Sequence, residues 1–136
     1  MKYIISLSLL LLLSGISASP VLISPIIQTK ETPAHTVFIK HPAAEDVNRY
    51  FSEASMFQLE IYKTGTKEEL QKILTQLRKD KAVESCTEGV VTGDFQAVVV
   101  SLKQAQNKTW FINWLKSAGL NHIKINNKAV TEIEKL

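Results

Sequence analysis

Between residues 57 and 133 the spacing of apolar and polar positions changes repeatedly, and each change marks a new element. Phe57, Leu59 and Ile61 alternate with Gln58, Glu60 and Tyr62, the period of two that a strand with one buried face requires. From Thr66 the period lengthens. Leu70, Ile73, Leu74 and Leu77 repeat on one helical face, Lys67, Glu68, Gln71, Lys72 and Arg78 take the wet side, and Thr66 with Glu69 three residues on makes a capping box. Asp80 and Lys81 interrupt the run; a second strand is expected over 82–87, and Thr92-Gly93-Asp94 turns the chain into a third over 95–102. Phe111, Trp114, Leu115 and Ala118 then recur at helical spacing, from a start near Asn107 or Thr109 to a stop at Gly119. A last strand covers 122–126 with Ile123 and Ile125 inward, and the tail residues Ala129, Val130, Ile133 and Leu136 either extend the sheet or cap its end.

This order predicts an α+β fold: a ferredoxin-like βαββαβ sandwich over 56–136, with a four-stranded antiparallel sheet and two helices on one face. That topology hosts many unrelated activities, so function has to be argued from a site. The third strand, Phe95-Gln96-Ala97-Val98-Val99-Val100-Ser101-Leu102, carries apolar residues on both faces, so the face without helices needs a cover. Burying three aliphatic side chains is worth about 5 kcal/mol, comparable with the stability of a small domain. The candidate cover is the extension 19–55. Pro20, Pro25 and Pro33 make its first half a tether, Thr36-Val37-Phe38-Ile39-Lys40 reads as a short strand stopped by Pro42, and 43–51 reads as about two helical turns. Val37, Phe38, Tyr50 and Phe51 are expected on the bare face; failing that, a protein partner or self-association through that face has to cover it.

The start of the chain changes the setting. Lys2, an apolar run through Leu13 and the small-residue exit Ser14-Gly15-Ile16-Ser17-Ala18 form a secretory signal peptide over 1–18, too short to span a bilayer. The mature chain is expected to be secreted or periplasmic, with no membrane span. Losing Lys2 lowers the formal charge of +3 by one. Although the isoelectric point is near 9.0, lysines and glutamates are interspersed along the helices, so no stripe for nucleic acid forms. A single cysteine, Cys86, excludes an internal disulfide and leaves the fold to packing.

Strand 57–61, the helix residues Leu70, Ile73, Leu74 and Leu77, the run Ala82-Val83-Glu84-Ser85 and the close Trp114-Leu115-Lys116-Ser117-Ala118-Gly119-Leu120 together resemble the heavy-metal-associated, copper-chaperone-like domain family. The resemblance covers about the second half of the chain and rests on core positions. It implies a soft-metal site at the turn into the first helix, where that family places a Cys-x-x-Cys pair. Here the two positions are Lys63 and Thr66. An ammonium offers no lone pair and the threonine is a helix cap, so the chain is expected to be a degenerate member without metal or cofactor at that site.

Elsewhere the soft-metal candidates are Cys86, His35, His41, His122 and Met56. His35 and His41 flank a strand and would share a face; Cys86 reads as a small buried hydrophobe and His122 as a rim residue. No catalytic triad spacing occurs, so the chain is not expected to be an enzyme. Acylphosphatases share the element order, but here the turn 63–66 supplies only a lysine and backbone amides. Asn107-Lys108-Thr109 matches a glycosylation acceptor and equally a helix cap. The expected function is therefore that of an exported, non-catalytic binding module. Two alternatives stand beside it: copper or zinc binding through Cys86 with histidine or methionine ligands, and a propeptide-like protease inhibitor.

Overall fold

One row of aliphatic and aromatic side chains per strand builds the sheet. In the computed structural model, which describes residues 30–41 and 46–136, the elements run β1 (Thr36–Ile39), α1 (Val47–Glu53), β2 (Met56–Tyr62), α2 (Lys67–Arg78), β3 (Val83–Thr92), β4 (Phe95–Leu102), α3 (Lys108–Ser117), β5 (His122–Ile125) and β6 (Thr131–Glu132), closed by a 3₁₀ turn at Ile133–Lys135. The signal peptide expected over 1–18 and the tether residues 19–29 lie outside the described residues.

The α+β class is as expected, but the sheet is larger. It has six strands in the order β3-β4-β2-β1-β5-β6. Four antiparallel strands and two helices were expected; the described residues carry three α-helices and a mixed sheet, in which β1 pairs antiparallel with β2 and parallel with β5. The added centre comes from the extension. Val37 and Ile39 register with Ile61 and Leu59 on one side and with Ile123 and Ile125 on the other, so β1 uses both backbone edges. Its four residues could be read as strand-like from β-branching alone. Their place between β2 and β5 depends on non-local pairing that no local period encodes.

The core lies on one face. Val37, Ile39, Phe57, Leu59, Ile61, Cys86, Val98, Val100, Leu102, Ile123 and Ile125 are all buried there against the helices. Leu70, Ile73, Leu74 and Leu77 of α2, and Phe111, Trp114 and Leu115 of α3, are buried as their spacing predicts. The extension's short helix α1 adds Phe51, whose ring meets Phe111 at 4.4 Å and Phe57 at 6.2 Å. Tyr50, with its ring 5.8 Å from Phe57, packs on the same side. Val37, Tyr50 and Phe51 therefore do not cover the helix-free face, contrary to expectation. An amphipathic α1 buries more apolar area by joining the existing aromatic layer of the core, where Phe51 is fully enclosed, than by lying alone on the opposite face.

The ends of the elements are chemically determined. Both bonds of the Thr66–Glu69 capping box form, and Asn107 Oδ1 accepts from Trp110 N–H at 2.8 Å to cap α3. Trp110 and Trp114 stack 5.1 Å apart, their indole N–H groups donating to Asp80 and to the Leu77 carbonyl. The tail both extends and caps the sheet: β6 pairs with β5, and Ile133 is buried.

Candidate functional site

The turn between β2 and α2 was the first candidate. Lys63 enters it with φ 46, a left-handed conformation that its N–H bond to the Asp94 carbonyl (2.8 Å) holds in place. Its ammonium lies 5.2 Å from the Tyr62 ring centroid and 3.2 Å from a Glu31 oxygen. The Tyr62 hydroxyl and then the Glu31 carboxylate raise the lysine above its usual value. Thr66 Oγ1 accepts from Glu69 N–H at 3.3 Å, while Glu69 Oε2 accepts from Thr66 N–H at 2.8 Å. The helix's first amides therefore already face the chain's own carboxylate. Gly65, at φ +78, permits this closure, because a Cβ there would stand 1.9 Å from Glu69 Oε2. A cleft of about 650 Å³ lies beside the turn, bounded by Lys63, Thr66, Lys67, Glu88, Val91 and Gln96. An incoming phosphate would have to displace the Glu69 carboxylate and then sit near Glu88 as well.

The other predicted ligands are dispersed. Cys86 on β3 is 4% exposed and turned into the core, where burial pushes its thiol up while the Arg78 charge partly opposes the shift. Arg78 Nε–H donates to the Cys86 carbonyl at 2.9 Å. His35 precedes β1 at φ 59, and His41 follows the strand's far end with its ring 5.4 Å from Tyr50, so the two stand at opposite ends of β1. His122 lies across from Thr36 on β5. Met56 begins β2 and is 62% exposed. Among the described residues, no three His, Cys, Asp or Glu side chains converge on a common point.

What the fold does bring together lies on the helix-free face. Phe38 of β1, Tyr62 of β2 and Phe95 of β4 come from three adjacent strands and form one half-buried aromatic cluster. Phe38 and Phe95 meet edge-on at 5.0 Å, Tyr62 and Phe95 at 5.2 Å, and Phe38 and Tyr62 at 6.3 Å. Lys124 reaches over Phe38, with its ammonium 5.4 Å from the centroid, as Lys63 does over Tyr62. Ala97 and Val99 continue the patch along β4, both half-buried. Polar residues surround it, with Lys40 and Glu60 paired at 3.3 Å. The rings tilt against one another at 46° to 85° instead of lying parallel, which presents an apolar surface in place of separated stacking platforms.

Sequence reasoning missed this cluster because it assigned Phe38 to a separate cover. The available signal was parity. Phe38 is out of phase with Val37 and Ile39, as Tyr62 is with Ile61 and Phe95 with Gln96, so all three point away from the core once the strands join one sheet.

The free edge of β3 is a weaker surface. Val90 and Val91 are 76% and 64% exposed at its end. Register shifts at Val83/Ser85 and at Glu88/Val91 break the strand's regularity, and Gln96 stitches the second by donating from Nε2 to the Gly89 and Ala97 carbonyls at 3.0 and 2.8 Å. Such bulges blunt an edge against strand addition.

Compared with known proteins, the chain matches no family model, no curated protein and no solved structure. No helix among the described residues is long and apolar enough to cross a membrane.

Proposed function

We propose that this protein is an exported, non-catalytic contact module that binds another protein through its helix-free sheet face. The observation that carries the reading is the Phe38–Tyr62–Phe95 cluster, three half-buried rings on a face that no helix among the described residues covers. A patch of this kind with a polar rim is the usual anatomy of a contact surface. Its nearby charges are largely balanced, with Lys40 against Glu60 and Lys63 against Glu31, so it favours an uncharged aliphatic or aromatic partner segment over a polyanion. Export is supported by the leader pattern of 1–18.

In this reading the run from β2 to β5 is a ferredoxin-like frame, related to heavy-metal-associated domains but with capping chemistry where that family carries its cysteines. The supports are the element order and the Thr66–Glu69 box at the turn. β1 enters the frame between its first and last strands, and β6 lengthens one edge.

The test is co-purification from the native host after mild cross-linking, comparing tagged wild type with a Phe38→Ser, Phe95→Ser variant. Retention of a specific partner by wild type and its loss from a variant that still unfolds cooperatively is the expected result. Equal recovery by both removes the helix-free face from the function.

A further inference from the structure

In the sheet register Phe38 is flanked by opposite charges, Glu60 of β2 on one side and Lys124 of β5 on the other. The two are not equally answered. Glu60 takes Lys40 at 3.3 Å, and beside Tyr62 the Lys63 ammonium takes Glu31 at 3.2 Å. On β6, Glu132 lies opposite His122, the outward neighbour of Lys124 along β5, but Lys135 holds it at 2.8 Å. Among the described residues Lys124 makes no ion pair, and its ammonium lies 5.4 Å from the Phe38 centroid. Asp94, next to Phe95, stands at the other end of the patch, because β4 and β5 are three strand spacings apart, roughly 14 Å.

The imbalance acquires a consequence when the face is covered. Any occupant seated on Phe38 strips water from the ammonium beside it, and a desolvated charge with no counter-charge is costly. Resting on the contact reading above, we propose that the partner segment on the Phe38–Tyr62–Phe95 patch is an aliphatic or aromatic run flanked by one Asp or Glu, and that this carboxylate docks on Lys124. Lys124 then sets which apolar segments are accepted and which way round they lie, since the ammonium stands on the β5 side alone. One anion suffices. A longer acidic run would meet Glu60 and Glu31 on the same rim and Asp94 at the far end. Size disfavours a second copy as the occupant, because three half-exposed rings offer roughly 300 Å², well short of the roughly 800 Å² per partner that a stable dimer buries.

The test uses the exported protein as bait for a displayed library of random peptides. Wild type should enrich peptides that join an apolar run to Asp or Glu, Phe38→Ser with Phe95→Ser should abolish the enrichment, and Lys124→Glu should select Lys or Arg in place of the acid. For one enriched peptide, Lys124→Met in the protein and acid-to-amide replacement in the peptide should each weaken binding about tenfold, with little further loss when combined. The methionine keeps an apolar stem beside Phe38, so its effect reads the charge and not the packing. Enriched peptides that depend on Phe38 and Phe95 but carry no acid, and bind Lys124→Met as tightly as wild type, overturn the carboxylate and leave the contact reading standing. A wild type that is dimeric, and becomes monomeric in Lys124→Glu, also overturns it, in favour of a second copy. Enrichment indifferent to Phe38→Ser with Phe95→Ser defeats both readings.

Discussion

Truncating Phe51 to alanine separates an extension built into the core from a tether ahead of a complete domain. Phe51 is 1% exposed and its ring lies 4.4 Å from Phe111 and 5.3 Å from Tyr50, so the benzyl group is enclosed by aromatic neighbours. A buried phenylalanine covers roughly 150–250 Å² and, at about 25 cal/mol per Å², accounts for about 4–6 kcal/mol. Alanine keeps part of that, and measured Phe→Ala losses of about 3–5 kcal/mol bracket the expected cost at about 4 kcal/mol. A substitution in a tether would change stability by less than about 0.5 kcal/mol. Urea unfolding followed by far-ultraviolet dichroism and tryptophan fluorescence reads the difference. With a slope of about 1–2 kcal/mol per molar, the midpoint should fall by about 2 M or more, both probes moving together. A shift under about 0.5 M would refute the integration of α1 into the core.

Thr66→Ala removes one arm of the capping box and should cost about 1 kcal/mol in the same unfolding assay; an unchanged midpoint would discount the cap. Gln96→Leu leaves the Gly89 and Ala97 carbonyls without their donor and should cost about 1–3 kcal/mol, with faster amide exchange around residues 89–91. Burial raises the Cys86 thiol, so the folded state holds its proton more tightly than the unfolded chain does. The resulting stability is complete below the unfolded thiol's value of about 9 and is lost as pH rises toward the folded value. Cys86→Ala should flatten this alkaline decline, and the native thiol should resist alkylation at neutral pH; rapid labelling of folded protein would contradict the burial.

Local periodicity made the helices and the helix-facing rows legible, because each required only neighbouring residues. Thr66 with Glu69, and Leu70 with Ile73, Leu74 and Leu77, announce α2 and its buried face without reference to the rest of the chain. Strand insertion was not legible: Val37 and Ile39 must find Ile61, Leu59, Ile123 and Ile125 across long sequence separations, and a four-residue strand carries too little pattern to rank those pairings. β3 illustrates a smaller loss. It continues to Thr92, well beyond its expected end near residue 87, because a bulge stitched by Gln96 carries the pairing past Gly89. The candidate site divides in the same way. The turn's chemistry was readable from Lys63 and Thr66, whereas the aromatic cluster joins residues from three strands whose adjacency only the sheet order reveals.

The most direct test of the proposed contact face is photo-cross-linking in the native host, with benzoylphenylalanine placed in turn at Ala97 or Val99 on the helix-free face and at Thr75 on the exposed side of α2. Adducts of one discrete partner mass at 97 and 99, absent at 75 and lost when Phe38→Ser is added, are the predicted result. Adducts at 75 alone, or adducts at the sheet positions that survive Phe38→Ser, would contradict the account.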